Sequence, residues 1–97
     1  MPGLLSEEEV RTALDGLSGW AREGDAITRT LAFRDFAQAM EFVNRVAEEA
    51  EAADHHPDIL IRYNKVTLTL STHSAGGLTG KDTRLADRIT AAVQPHL

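Results

Sequence analysis

Residues 58–70 read DILIRYNKVTLTL, in which apolar residues recur at every second position on either side of Asn64-Lys65, with Leu60 the apolar exception in the other phase. The apolar phase consists of Ile59, Ile61, Tyr63, Val66, Leu68 and Leu70. A period of two is typical of strands with one buried face, and a polar break between two such runs indicates a turn. The stretch therefore predicts an antiparallel hairpin that turns at Asn64-Lys65. A turn there would place His56 near His73.

Capping signals followed by apolar residues at helical spacing predict three helices. Each signal pairs a capping side chain with a polar residue three positions later: Ser6 with Glu9, Asp35 with Gln38, and Thr79 with Asp82. The expected buried stripes are Phe36, Met40, Val43, Ala47 and Ala50 in the second helix, and Leu85, Ile89 and Val93 in the third. The first helix should cover roughly Glu7–Leu14. The second should end before Pro57, because proline disfavours helical geometry in the residue before it.

A second hairpin is predicted ahead of the second helix. Trp20–Arg22 and Ala26–Phe33 flank Glu23-Gly24-Asp25, whose glycine can adopt the positive φ of a tight turn. The resulting order α-β-β-α-β-β-α predicts a single α+β domain over residues 1–97. In this domain the helices pack on one face of a four-stranded antiparallel sheet.

Composition narrows the classes of function. A chain of 97 residues with 42% hydrophobic residues can build one small core, and a net charge of −5 argues against a surface that follows nucleic-acid phosphates. The chain has no cysteine, which excludes disulfides and thiolate chemistry and fits a reducing compartment. No apolar run approaches the roughly 20 residues of a membrane span, and residues 1–5 lack the basic start of a signal peptide. We therefore expect a soluble cytoplasmic protein with no nucleic-acid or membrane partner.

The most reactive side chains are histidines at the edges of the predicted strands. His55 and His56 lie where the second helix gives way to the third strand, and His73 follows the fourth strand. Because imidazole gains and loses a proton near neutrality, this group favours acid–base chemistry. The imidazoles could instead bind zinc, although adjacent histidines cannot easily aim at one ion, or they could be satisfied surface side chains. His96 is expected to be solvated near the C-terminus.

Several other residues have both a structural and a functional interpretation. Asp82 is first a helix cap, and the same carboxylate could orient His73 across the loop. Glu51 belongs to an acidic stretch of the kind that is usually a solvated helix face. Gly76-Gly77 is expected to be a flexible connection, because no Lys-Ser or Lys-Thr pair follows it as in a phosphate-binding loop. Tyr63 is expected to be a core anchor.

Together these motifs resemble the pterin-4a-carbinolamine dehydratase family, whose mammalian members are also called dimerisation cofactor of a homeodomain transcription factor. The match runs in order through roughly residues 50–90: Asp54-His55-His56-Pro57, Tyr63-Asn64-Lys65-Val66, Leu70-Ser71-Thr72-His73, Gly77-Leu78-Thr79, Asp82 and Leu85-Ala86. The resemblance implies a small α+β domain with an antiparallel sheet. It also implies an oligomer, because members of the family assemble as dimers or tetramers.

The resemblance also implies an activity. This activity is dehydration of 4a-hydroxytetrahydrobiopterin, also called pterin-4a-carbinolamine, to quinonoid dihydrobiopterin and water. The step belongs to tetrahydrobiopterin recycling and follows the use of the pterin by an aromatic amino acid hydroxylase, which would be a pathway partner. The family reaction uses no metal and no organic cofactor, so we expect neither here.

Site residues carry over by family analogy. The catalytic residues would be His55, His56 and His73, with His55 and His73 transferring protons and His56 mainly positioning the pterin. The residues implied to contact the substrate are His55, His56, Pro57, Thr72, His73, Ser74 and Ala75. Glu51 and Asp82 would tune or orient the histidines. One departure is visible, because many members place a tryptophan two residues beyond the proline, where this chain has Ile59. Loss of that ring would weaken stacking on the pterin.

Assembly is predicted from the second helix as well as from the resemblance. The second helix has apolar side chains on more than one side, and packing against one sheet would not bury all of them. These side chains are Phe36, Met40, Phe42, Val43 and Val46. We therefore expect a homodimer or homotetramer with isologous contacts through neighbouring helices or sheet edges. The alternative to an enzyme is a non-catalytic protein-binding module or transcriptional coactivator that acts through its helix surface.

Overall fold

The structure is a computed structural model that describes residues 3–93, so His96 lies outside the described residues. Its elements are α1 (Glu7–Asp15), β1 (Ala21–Glu23), β2 (Ala26–Ala32), α2 (Phe36–Ala53), β3 (Asp58–Arg62), β4 (Lys65–Leu70), a short 3-10 helix (His73–Ala75) and α3 (Gly80–Val93). The predicted α+β class and element order are confirmed. No helix within residues 3–93 combines the length and the apolar character needed to cross a membrane.

The strands form one four-stranded antiparallel sheet in the order β1-β2-β4-β3, which puts β4 inside and β3 at an edge. One face of the sheet carries the core side chains Ile27, Leu31, Val66, Leu68 and Leu70. The other face carries two cross-strand threonine pairs, Thr28 with Thr69 and Thr30 with Thr67, whose hydroxyls lie 3.4 and 2.9 Å apart. The helices therefore cover only one face, as the alternation along β4 predicted, whereas in β3 Ile59 is exposed and no residue is fully buried.

The hairpin of β3 and β4 is confirmed, but its turn is Tyr63-Asn64 rather than Asn64-Lys65. Asp58 pairs with Thr69, whereas the predicted turn would have paired it with Ser71. The predicted register, which also placed His56 near His73, is therefore wrong by two residues.

Contacts of Asn64 explain where this hairpin turns. Its side-chain amide donates to the Phe33 carbonyl at 2.8 Å, and its own carbonyl accepts from the Phe33 N–H at 2.8 Å. These two hydrogen bonds hold Asn64 beside the end of β2, and Tyr63 takes the left-handed conformation with φ 52°. Tyr63 is 66% exposed, so the prediction that it anchors the core is wrong.

The stripe that α2 buries differs from the predicted one. Its core side chains are Ala39, Phe42, Val46 and Ala50. Phe33, which follows β2, is buried against Phe42 with the ring centroids 5.1 Å apart. This contact turns the Phe42 side of α2 toward the sheet. Of the predicted stripe, Ala50 lies in the core and Val43 is half-buried against it, whereas the prediction is wrong for Phe36, Met40 and Ala47.

The remaining predicted residues form a second stripe beside the core stripe, which we call the outer stripe: Phe36, Met40, Val43 and Ala47. Met40, Val43 and Ala47 each directly follow a core residue, so the outer stripe is rotated by about 100° around the helix axis. Met40 and Val43 are half-buried, and Phe36 and Ala47 are exposed. The prediction that α2 carries apolar groups on more than one side is confirmed, although Phe42 and Val46 belong to the core.

The predicted helix caps are all present. Ser6 and Glu9 form a reciprocal capping box, and α1 ends at Asp15, one residue beyond the predicted boundary. Asp35 accepts from the Gln38 N–H at 2.9 Å, and this hydrogen bond lowers the pKa of the Asp35 carboxyl. The predicted buried stripe of α3 is confirmed for Leu85, Ile89 and Val93.

The first hairpin is confirmed, with β1 shifted by one residue from the predicted Trp20–Arg22 and β2 one residue shorter than predicted. β1 begins at Ala21, because Trp20 is buried and its indole N–H donates to Thr90 Oγ1 at 3.0 Å. Arg29 of β2 packs against Gly19, where a Cβ would come within 2.7 Å of Arg29 Nε. Burial lowers the pKa of the Arg29 guanidinium.

Candidate active site

The end of α2 directs the two adjacent histidines to different environments. Asp54 takes the left-handed conformation, with φ 50° and ψ 44°, and its N–H bonds the Glu51 carbonyl at 3.2 Å. The His55 N–H then bonds the Ala50 carbonyl at 3.1 Å, which completes a Schellman-type cap. The helix therefore ends before Pro57, as predicted. Beyond this cap the His55 side chain is 11% exposed, whereas the His56 side chain is 58% exposed.

Asp82 is the centre of the buried part of the site. Its side chain is fully buried, and its Oδ1 lies 2.6 Å from His55 Nε2. Its Oδ2 accepts from Thr72 Oγ1 at 2.8 Å and from the Thr79 N–H at 2.9 Å. A carboxylate buried without partners would be strongly unfavourable, and these hydrogen bonds supply the partners it needs. The predicted capping role of Asp82 is confirmed, but its carboxylate holds His55 and not His73.

Thr72 connects this cluster to the loop that carries His73. Thr72 is buried, and its hydroxyl lies 2.8 Å from the Thr79 hydroxyl. Its carbonyl accepts from the N–H groups of Ala75 and Gly76, both at 3.0 Å, and Gly76 takes the left-handed conformation with φ 77°. Residues 72–77 thus form a hydrogen-bonded turn that the prediction of a flexible connection at Gly76-Gly77 did not anticipate.

Accessibility differs along this turn. His73 and Ser74 are exposed, and Ala75 is half-buried. Among residues 3–93 no hydrogen bond links His73 to either of the other two candidate histidines. The turn therefore fixes the backbone of His73, through Thr72 and Asp82, while its imidazole remains open to solvent.

Glu51 and His56 form a second carboxylate–imidazole pair on the surface. Glu51 Oε2 lies 2.5 Å from His56 Nε2, and the two side chains are 77% and 58% exposed. The predicted partnership of Glu51 with a histidine is thus present as a contact. Pro57 follows as a half-buried residue, and Ile59, at the position often occupied by tryptophan in the family, is 38% exposed.

A cavity of about 400 Å³, which we call the α3 cavity, adjoins His55. It is lined by Ala53, His55, Lys81, Arg84, Leu85, Asp87 and Arg88. His55 is its only member from the predicted site, so the sequence analysis missed the rest. The sequence does contain a pattern that indicates this lining. Basic residues recur on α3 at positions 81, 84 and 88, a spacing that puts them on one helix face.

The site contains two acid–base groups in different settings, one imidazole held by a buried carboxylate and one exposed on a turn. Among residues 3–93 no group of three or more His, Cys, Asp or Glu side chains is arranged to hold a metal ion. An imidazole in either setting can give or take a proton near neutrality.

Comparison with known proteins defines the class. The model of the pterin 4 alpha carbinolamine dehydratase family matches residues 3–92. The chain therefore belongs to the pterin-4a-carbinolamine dehydratase family, and the resemblance found in the sequence is confirmed.

Relatives and solved structures agree with this membership. A protein from Nocardia farcinica is 58% identical over 86 residues, 89% of this chain and 90% of that protein. One from Koribacter versatilis is 52% identical over 89 residues, 92% of this chain and 95% of that protein. Both are named provisionally as pterin-4-alpha-carbinolamine dehydratases.

Two solved structures share the fold. A transcriptional coactivator/pterin dehydratase from Brucella melitensis superposes with a TM-score of 0.89 at 40% identity, over 93% of this chain and 98% of that one. A pterin dehydratase-like protein identified as a RuBisCO assembly factor in the alpha-carboxysome has a TM-score of 0.67 at 24% identity, over 78% of this chain and 90% of that one. At that identity the second comparison concerns the fold alone.

Proposed function

We propose that this protein dehydrates 4a-hydroxytetrahydrobiopterin to quinonoid dihydrobiopterin and water. The observation that carries the proposal is the contact between buried Asp82 and His55, with Nε2 and Oδ1 2.6 Å apart. A carboxylate that fixes an imidazole at the edge of a pocket is a common way to orient a proton-transfer group. Family membership supports the same reaction.

The reaction needs an acid and a base at different places on the substrate. The 4a-hydroxyl leaves as water after it gains a proton, and a ring nitrogen loses a proton, so that the net loss is one water. We assign these two transfers to His55 and His73, whose environments differ. His56 would mainly position the pterin through its exposed ring.

Asp82 would also set the tautomer of His55. We assign Asp82 as the hydrogen-bond acceptor of this pair, so that its Oδ1 would accept from His55 Nε2–H while its Oδ2 accepts from the Thr79 N–H. Nδ1 of His55 is left as the nitrogen that would exchange a proton with the substrate. Asp82 is thus a positioning residue that acts through His55.

The pterin ring would lie between the two histidine segments. Pro57 would contact one side of the ring, and the backbone of Thr72-His73-Ser74-Ala75 would contact its edge. Ile59 would replace the tryptophan of other members with a smaller apolar contact, so we expect a raised KM and an unchanged reaction type.

A direct assay tests this function. Purified protein should accelerate the decay of 4a-hydroxytetrahydrobiopterin above the spontaneous rate, and it should do so after prolonged dialysis against a chelator. No acceleration by the wild-type chain would overturn the proposal. Activity lost on chelation and restored by one equivalent of a metal would overturn the metal-free mechanism alone.

A second candidate is a protein-binding module, as the coactivator part of the Brucella protein's name suggests for that protein. The observation that favours it is a set of large apolar side chains on the described surface: Phe36 at 49%, Ile59 at 38% and Leu60 at 55% exposure. The same groups fit a homodimer or homotetramer, in which the outer stripe of α2 and the edge strand β3 would meet their copies.

We place the proposed enzyme in the cytoplasm, in tetrahydrobiopterin recycling after an aromatic amino acid hydroxylase.

A further inference from the structure

The α3 cavity has a positive lining in a protein that is acidic overall. Lys81, Arg84 and Arg88 line it with a single acidic residue, Asp87, whereas the whole chain carries a net charge of −5. Helix α3 begins at Gly80, so the positive end of its dipole adds to the charge of these side chains. The lining is therefore suited to an anion.

Two of these cations are available to a ligand. Arg88 Nε lies 3.6 Å from Glu49 Oε1, so its charge is partly matched within the protein. Within residues 3–93 neither Lys81 nor Arg84 has an acidic partner within 4.0 Å. Lys81 is half-buried, which strengthens an electrostatic contact relative to one made in open water.

The guanidinium of Arg84 lies close to Gly80. A Cβ at Gly80 would come within 2.7 Å of Arg84 Nη1, so the side chain lies folded against the first turn of α3. Gly80 is an unfavourable residue in a helix, and alanine would be preferred there by propensity alone. The glycine therefore leaves room for the guanidinium beside the start of α3.

The cavity is continuous with the proposed catalytic group, because His55 contributes to its lining. A volume of about 400 Å³ lies in the range of small-molecule sites, roughly 300–1,000 Å³. We propose that the α3 cavity receives an acidic side chain of the substrate, a carboxylate or a phosphate monoester, with Lys81 and Arg84 as its ligands. The favoured substrate would then be a 4a-hydroxytetrahydropterin with a negatively charged substituent in place of the neutral side chain of biopterin, an inference that rests on the dehydration chemistry of the proposed function.

Binding of stable oxidised pterins tests the proposal without turnover. Fluorescence titration would compare neutral 6-hydroxymethylpterin with pterin-6-carboxylate and with the phosphate monoester of 6-hydroxymethylpterin. The wild-type protein should bind at least one acid about fivefold or more tightly than the neutral pterin, and salt should reduce this preference. The two acids show whether the cavity selects a carboxylate or a phosphate.

Three variants test the residues. Arg84→Gln and Lys81→Gln should each bring the ratio of the affinities for the acidic and the neutral pterin closer to one. Gly80→Ala should do the same while it keeps both charges, because the added Cβ displaces a flexible side-chain end and leaves the fold intact. Arg11→Gln on α1, an exposed cation away from the cavity, is the matched control and should retain the preference.

The outcomes separate this proposal from the function on which it rests. Equal affinity of the wild type for neutral and acidic pterins, with dehydratase activity present, would overturn the acidic subsite alone. A preference that survives in Arg84→Gln, Lys81→Gln and Gly80→Ala would also overturn it. Failure to bind any pterin, with no dehydratase activity, would overturn the proposed function and this inference together.

Discussion

Two carboxylate–imidazole pairs lie side by side in this protein, and they differ in almost everything except their contact distance. His55 and Asp82 are 2.6 Å apart with side chains 11% and 0% exposed, whereas His56 and Glu51 are 2.5 Å apart at 58% and 77%. Asp82 has two further donors, Thr72 Oγ1 and the Thr79 N–H. A short distance alone therefore does not show how firmly an imidazole is held.

Burial separates the two pairs energetically. An exposed ion pair contributes roughly 0–1 kcal/mol, because water and salt compete with it. Removing one partner of a buried pair costs roughly 3–5 kcal/mol, because polar groups lose their hydrogen bonds where water cannot replace them. We therefore expect Asp82 to orient His55 and to stabilise the fold, and Glu51 to affect only the local position of the His56 ring.

The largest expected effect is that of Asp82→Ala. The change leaves three hydrogen-bonding groups without their acceptor, on His55, Thr72 and Thr79, and should lower the free energy of unfolding by about 3 kcal/mol. Urea denaturation measures this loss. Glu41→Ala, an exposed acid on α2, is the control and should stay within about 0.5 kcal/mol of wild type.

Asp82→Asn separates the structural role of this side chain from its chemical role. The amide keeps an oxygen for the donors at Thr72 and Thr79, so we expect a cost nearer 1 kcal/mol. Its NH₂ group would face His55 Nε2 and favour the opposite tautomer, which should lower kcat strongly. Nitrogen NMR of the imidazole would report the tautomer, and an unchanged tautomer with full activity would contradict the assignment.

Next in size are the effects expected at the two histidines that we propose to transfer protons. His55→Ala and His73→Ala should each lower kcat by about 10²-fold, the usual scale for a positioned proton-transfer group. Only His55→Ala should also destabilise the fold, because His73 is exposed. Circular dichroism and urea unfolding check this difference. The assignment fails if both variants, correctly folded, dehydrate the pterin at the wild-type rate.

Assembly would change how exposed the pair of His56 and Glu51 is in solution. Glu51 lies one turn beyond Ala47 at the end of the outer stripe, so a copy packed on that stripe would approach it. Met40→Lys should raise the dissociation constant of the oligomer at least tenfold, as judged by sedimentation equilibrium, whereas Glu48→Lys should not. A wild-type mass equal to one 10.6 kDa chain at all micromolar concentrations would refute the oligomer.

The smallest effects belong to the exposed pair. Glu51→Ala should change the free energy of unfolding by no more than about 0.5 kcal/mol. His56→Ala should raise KM several-fold and leave kcat nearly unchanged, because in the proposed mechanism its ring positions the pterin and transfers no proton. A loss of kcat comparable to that of His55→Ala would remove the distinction between the two pairs.

Much of the fold could be predicted because its determinants are local. The caps at Ser6 and Asp35 depend on residues three positions away, and the alternation along β4 reports directly which face is buried. The element order followed from these short patterns. The candidate site residues came from a motif, which names residues but does not give their partners.

The predictions that were wrong concern features that depend on contacts between distant parts of the chain. The hairpin turns at Tyr63-Asn64 because Asn64 bonds Phe33, 31 residues earlier. The α2 stripe was misplaced because the helix has two apolar stripes and the contact of Phe42 with Phe33 selects between them. The partner of Asp82 was misassigned for the same reason, since His55 is 27 residues away and only the packing of α3 on α2 brings it near.

Asp82 also affects how related chains should be read. The carboxylate of Asp82 accepts from the Thr79 N–H at the start of α3 and also holds His55, so a relative without the proposed activity would still need it for a stable fold. Its presence in a relative is therefore weak evidence for activity. His73, exposed and with no comparable duty in the fold, is free to drift once catalysis is no longer selected. Among relatives, the loss of His73 while Asp82 persists would mark the lineages that have turned this domain to other uses.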